Sequence, residues 1–373
     1  MFKVFLAGLA ASVLAGAVGI GAAAADDDAI VLHLTGDAPA AAENGPRHFV
    51  INATLSKDDE GYSVSGWLAV LPPGAEPAAS SNELKGGCVK KHCDLTVDLN
   101  NSTVNIGADV DGHTGLANGK FEIAAIPGFQ EASGGPITFR PFTDSVPGLG
   151  ELVRPDAIDS RTLDDLLMWA GTGHGFQGTD DVHPIDNDEQ ETLASWQIQN
   201  QKPMTGLLFV ADLALLTSQR ADAQKAVGWT TLGGQGLGWS AGYPAKLLPA
   251  ASRNGAEQRF ASADGKATLV VTIDPPMGNE EFNTAMEKLI NDEVPGQTDR
   301  NYALGGDNMQ ISYTEGGDRV SAYYYRRGGG VARLMLRYPA PAENAQPGQN
   351  PIDDIASTIA GSFRVGDAVK PAP

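Results

Sequence analysis

The pentapeptide GWSAG, residues 238–242, has the G-x-S-x-G spacing that puts a hydrolase's nucleophilic serine on a tight turn between a strand and a helix. In that fold the carboxylate and then the histidine follow the serine along the chain, and the imidazole takes the hydroxyl proton. Every histidine here (His33, His48, His92, His113, His174 and His183) precedes Ser240, and Tyr243-Pro244 stands where the helix should begin. The stretch reads as the start of a strand. DVDGHTGLANGK, residues 109–120, opens like a calcium loop with Asp109 and Asp111. It then places Thr114 where the turn needs glycine and Lys120 where the ion needs a bidentate glutamate. Asp180, Asp181, His183, Asp186 and Asp188 crowd one segment and have the oxygen and imidazole types that hold a divalent cation, but the commoner form of such a run is a solvated acidic loop. No catalytic residue, metal or cofactor is assigned, and a non-enzyme is expected.

Cys88 and Cys93, in CVKKHC, are the only two cysteines. Four residues intervene where redox motifs have two, and no second ligand cluster supports zinc, so a disulfide is expected. The loop it closes is short, which limits the stabilisation to about 2 kcal/mol. A bridge suits an exported chain, and residues 1–25 supply the export pattern: Lys3, an Ala/Gly-rich apolar run, and an A-x-A site at Ala23 and Ala25. The formal charge is -20, and losing Lys3 with that segment makes it one unit more negative. Such a balance argues against nucleic acid or an anionic membrane surface as partner. No later segment is long and apolar enough to span a bilayer, so no membrane insertion is expected after signal cleavage.

The elements that must position any site fall into blocks. Residues 26–127 read as an all-β domain, an antiparallel sandwich or half-barrel. HFVINATL puts Phe49, Ile51, Ala53 and Leu55 on one face, and YSVSGWLAV does the same with Tyr62, Val64 and Leu68. Residues 128–159 turn to glycine, proline and serine and read as a linker. Residues 160–222 show helical spacing. Leu163, Leu166, Leu167 and Ala170 share a face after a capping-type start at Thr162 and Asp165; Leu193 and Trp196 share a second, and Leu208, Ala211 and Leu215 a third. Helices this short are stable only when packed, which suggests an all-α three-helix module. Residues 226–367 read as an α+β layer domain: a hairpin about Asp264-Gly265, a helix burying Phe282, Met286, Leu289 and Ile290, and a meander. A closing helix starts near Pro351 with Ile352, Ile355, Ile359 and Phe363 on one stripe. Residues 368–373 form a tail.

The central block resembles the peptidoglycan-binding domain family, a three-helix module of bacterial wall proteins. The resemblance rests on Asp186, Thr192-Leu193-Ala194, the Trp196-Gln197 pair, Pro203, Thr205-Gly206 and the leucines up to Leu216. It implies that Trp196, Gln197, Thr205 and Gly206 form the ligand strip, Trp196 and Gln197 by shaping the module more than by touching glycan. Thr205 is expected to cap the third helix. The family's Asp-Gly turn is replaced by Asp186-Asn187. The order of elements in the last block looks like the Mog1/PsbP-type α+β fold, whose members are typically binding or assembly modules.

The resulting expectation is an exported, periplasmic or secreted, non-catalytic envelope protein. It would dock to peptidoglycan through the central module and present its flanking domains to other envelope proteins. The alternatives are a secreted wall hydrolase using Ser240 or the Asp/His loop, and a structural protein whose bundle is only a spacer.

Overall fold

A computed structural model describes residues 29–38, 47–58, 61–71, 80–99, 102–110, 117–124, 133–172, 185–234, 239–292, 295–327, 330–342 and 350–365. The signal pattern, the tail, and Asp180, Asp181 and His183 lie outside them. The chain forms two compact units. One holds the residues up to Leu167 and those from Val182 to Leu216, and the other holds Met168 to Asp181 and everything from Thr217 onward.

The first unit is built on eight strands: β1 (Ala29–Ala38), β2 (Arg47–Lys57), β3 (Tyr62–Leu71), β4 (Ser80–Val89), β5 (His92–Leu99), β6 (Ser102–Val110), β7 (Ala117–Ile123) and β8 (Ser133–Pro141). Each pairs antiparallel with the next, and β1 pairs with β8 through Leu34↔Pro141 to Asp37↔Thr138. The sheet is therefore a closed barrel, not the sandwich or half-barrel expected. Period-two alternation sends Phe49, Ile51, Leu68, Leu84, Ile106 and Phe139 inward to a packed apolar core. Gly66, at φ 153°, lets β3 press on β2, since a Cβ there would lie 2.2 Å from the Asn52 carbonyl oxygen. Cys88 and Cys93 sit directly opposite one another on β4 and β5 and are bonded, both buried in the core. Outward positions on β4 to β8 are mostly polar or glycine, including Lys85, Thr96, Asn105, Lys120 and Glu122, with Val89 an exposed exception. That is the reverse of a lipid-facing barrel, which needs its apolar band outside.

On β2 and β3 the outer face is buried as well, and there the central block differs from expectation. Helices α1 (Ser160–Trp169), α2 (Asn187–Gln199) and α3 (Val210–Val227) exist, but they do not make an all-α module. Short strands β9 (Ser145–Val146) and β10 (Gly150–Glu151) precede them. Val50, Ala69 and Leu71 of the barrel wall share a core with Phe142, Val146, Leu152, Leu207 and Phe209, and Trp67 packs with Ala194 and Met204. The physical reason is that α1 and α2 are too short to bury their faces on each other alone, and the barrel offers an apolar wall. Leu207, Leu208 and Phe209 stay extended to cover that wall, with Phe209 bridged to Leu152, so α3 starts later than its leucine spacing suggests. Asp159, not Thr162 with Asp165, caps α1: its carboxylate accepts from the Thr162 N–H at 2.8 Å.

The second unit pairs β11 (Trp229–Gly234), β12 (Trp239–Pro244) and β20 (Arg364–Val365) in a small sheet. Its main sheet has the order β13-β14-β15-β19-β18-β17-β16, built from β13 (Ala250–Asn254), β14 (Glu257–Ala261), β15 (Thr268–Asp274), β16 (Gln297–Gly305), β17 (Asn308–Glu315), β18 (Asp318–Arg327) and β19 (Gly330–Pro339). One face carries α4 (Asn279–Asn291), whose Phe282 and Met286 pack on Met309, Ile311 and Ala322. The other carries Trp239, Leu248 and the residues of α5 (Pro351–Asp354) and α6 (Ala356–Gly361), which are two short turns parted at Ile355 rather than one closing helix.

His33, on β1, is largely covered and stacked on Phe142 with ring centroids 5.5 Å apart. Burial pulls its pKa from 6.5 down to about 4, with a side-chain hydrogen bond to Asn52 acting the other way. Between those values the unfolded chain binds a proton that the folded chain refuses. The share of stability that depends on His33 is therefore whole above pH 6.5 and falls by about 3 kcal/mol as the pH drops to 4. Glu189 opposes this by a similar amount: burial first, then its hydrogen bond with Asp186, raises it from 4.5 to about 7, so its contribution is lost as pH rises through that window. His33→Phe keeps the stack and removes the proton. The urea midpoint of that variant is expected to rise relative to the parent's as the pH drops from 7 to 4; a difference between the two that does not change with pH removes His33 as the source.

Candidate functional site

The residues expected to line a ligand strip are in the interior of the first unit. Trp196 is 0% exposed, Gln197 and Thr205 1% each, and Gly206 is buried. Gln197 accepts at Oε1 from the Thr205 and Gly206 backbone N–H groups at 2.9 and 3.1 Å, and donates from Nε2 to the Leu207 carbonyl and the Asp212 carboxylate at 2.9 and 3.0 Å. Asp212 is also paired with Lys202 at 2.7 Å. Gly206, at φ 64°, lies flat on the Trp67 indole, where a Cβ would come within 2.7 Å of the ring. Thr205 accepts from the Leu207 N–H and does not cap α3, which begins at Val210. The aromatic-Gln…Thr-Gly pattern is thus a buried polar clasp fastening a turn to the barrel wall.

Other sequence candidates have structural roles too. Ser240 lies on β12 paired with Gly233 and Arg364, and no described residue of its unit is histidine. Gly242 of the same motif makes room for Trp229, whose ring would be 2.0 Å from a Cβ. Asp186 caps α2, accepting from the Asp188 N–H at 2.9 Å while Glu189 accepts from the Asp186 N–H at 2.7 Å. Asp109 accepts a 2.6 Å bond from the exposed His92, a contact that raises the pKa of that imidazole. Among the described residues no group of three metal-ligating side chains converges.

What the residue spacing did not reveal is on the outer wall across β2, β1 and β8. The barrel register sets Asp37 opposite His48 on one side and opposite Thr138 on the other, and Thr35 opposite Arg140. His48 Nδ1 is 2.8 Å from Asp37 Oδ1, and its Nε2 is 2.7 Å from Thr35 Oγ1. With Nδ1–H donated to the carboxylate, Nε2 accepts the Thr35 hydroxyl proton in preference to the more distant Phe49 carbonyl at 3.3 Å. The imidazole is largely covered, with its side chain 16% exposed, while Asp37 is 82% exposed. These residues border a cleft of about 350 Å³ that Pro136, Arg140 and Pro147 help to line. Alternation explains why they meet: positions 35 and 37 of β1, 48 of β2 and 138 and 140 of β8 all point outward. The signal was present as T-x-D on β1 and a histidine near the start of β2, but only the register joins them.

No family model matches the chain, among them any peptidoglycan-binding family, and no curated protein matches it. Among solved structures, a cyanobacterial PsbP from Synechocystis is 14% identical, covering 37% of this chain and 92% of its own, with a TM-score of 0.25. A Bacteroides fragilis protein described as a candidate outer membrane protein is 7% identical over 84% of this chain and 96% of its own, with a TM-score of 0.17. At those scores neither likeness bears on the site. The disulfide is compatible with an extracytoplasmic location, and among the described residues no helix is long and apolar enough to cross a membrane.

Proposed function

We propose that this is an exported ligand-binding protein whose binding place is the cleft on the barrel wall, and that the central helices are structural. The observation that carries this reading is the convergence of Thr35, His48, Thr138 and Arg140 on one concave surface of about 350 Å³. Small-ligand sites combine concavity with a few placed polar groups. Arg140 presents a fork of donors there, in a chain of charge -20, and suits a carboxylate-bearing ligand. Export is supported by the signal pattern at residues 1–25 and by the Cys88–Cys93 bridge.

Peptidoglycan is one carboxylate-rich ligand of that compartment, and it would have to bind at this surface, because Trp196 and Gln197 have no exposed area to offer. The test is an amide and imidazole NMR titration of the mature chain with acetate, N-acetyl-alanine and a soluble muropeptide. Saturable shifts confined to Thr35, Asp37, His48, Thr138 and Arg140, and weakened tenfold or more by Arg140→Ala, are expected. Shifts elsewhere, or none with any probe, overturn the cleft as the binding place.

A further inference from the structure

Resting on that reading of the cleft, we propose that Thr35 is a nucleophile and that the same surface transfers or hydrolyses small acyl esters. A hydroxyl becomes nucleophilic when a base within hydrogen-bond reach takes its proton and a third group fixes that base. All three parts are present at 2.7 and 2.8 Å: Thr35 Oγ1, His48 Nε2, and Asp37 on His48 Nδ1. Catalytic carboxylates usually hold their histidine from a buried position, whereas Asp37 is exposed. Here the strand ladder does the holding, because Asp37 and His48 are direct cross-strand partners and β1 is clamped on its other side by β8. The imidazole itself is covered, so water competes little for Nε2.

The step balances without a further reactant. Thr35 Oγ1 attacks the ester carbonyl carbon as its proton passes to His48 Nε2. The oxyanion faces Arg140, which is opposite Thr35 across the β1–β8 ladder and lines the same cleft. Collapse breaks the bond to the leaving alkoxide, which takes the proton from Nε2. Water then attacks the Thr35 ester by the same route, releasing the acid and restoring the hydroxyl. Thr35 and His48 are the catalytic residues, and Asp37 is a positioning residue.

The experiment uses the mature chain with p-nitrophenyl acetate. Nitrophenol release above the buffer rate is expected, with a single acetyl group mapped to Thr35 by peptide mass spectrometry after acid quench. Thr35→Val, close in shape, should lose both the label and the release, while Thr35→Ser should keep them. Asp37→Asn should lower kcat by about 10²-fold or more with KM little changed, since the wrong imidazole tautomer does not disturb the cleft. Near-ultraviolet circular dichroism identical to the parent shows that the variants fold. Acetyl groups found only on surface lysines, or release undiminished in Thr35→Val, overturn the proposal. If the acetate and N-acetyl-alanine shifts at Arg140 and His48 persist in that case, the cleft still binds and only the chemistry fails; if they vanish too, both fail.

Discussion

Gln197→Leu is expected to destabilise the barrel unit by roughly 3–6 kcal/mol, although it replaces a polar residue with an apolar one of similar size in a buried place. The amide accepts from the Gly206 N–H and the Thr205 N–H and donates to the Leu207 carbonyl. Leucine leaves those backbone groups buried and unmatched, each at about 1–3 kcal/mol, while the burial of its methyl groups returns only part. Asp212 loses a donor as well but keeps Lys202. Gln197→Glu is a sharper control. It keeps an acceptor for both N–H groups, loses the donor to Leu207 and sets a second carboxylate against Asp212, so it should fall between parent and leucine at acid pH and behave worse at neutral pH. Amide hydrogen exchange read on barrel peptides separates this unit from the other. Barrel protection unchanged in Gln197→Leu would mean that the clasp is not what holds the turn down.

Trp196→Ala should cost about 3–5 kcal/mol, the range for removing a fully buried large aromatic. Its ring is covered completely, and Lys202, which bonds Asp212, lies 5.9 Å over it. A ligand-facing tryptophan predicts the opposite result: stability close to that of the parent and a loss confined to binding. Trp196→Phe distinguishes volume from the cation contact, and should recover most of the loss because a six-membered ring fills much of the indole's space. The readout is again exchange protection of barrel peptides, with the cleft titration run in parallel. Intact stability in the alanine variant would return this residue to the surface.

The strands were legible from period two in the sequence. Phe49, Ile51, Ala53 and Leu55 take every second place on β2, and that period places them in the barrel core even though Val50 and Asn52 between them are buried on the outer face. Closure was not legible, because β1 finds β8 more than a hundred residues away through Leu34↔Pro141, and nothing near either strand marks the pairing. One clue was there: Gly66–Leu71 reads GWLAVL without polar alternation, as a strand does when both of its faces are buried. Helical spacing located α1, α2 and most of α3. It could not show that Leu207–Phe209 would leave the helix to lie on the barrel, because tertiary burial outweighs a weak local preference. The cleft was illegible for a different reason. Thr35, Asp37 and His48 carry no motif, and they become a constellation only through register, which a one-residue slip would destroy.

Closing the ring leaves the eight-stranded barrel with no strand rim for a neighbouring molecule to extend. Among the described residues the main sheet of the second unit has two such rims, β13 and β16. On β16 the irregularity between Thr298 and Asn301, with Asp299 at φ 52°, interrupts any flat template, whereas β13 pairs evenly with β14 and every one of its five residues is exposed. When this protein is concentrated or warmed, intermolecular cross-β growth should begin at Ala250–Asn254, and a proline there should delay fibrils while leaving the barrel's exchange protection untouched.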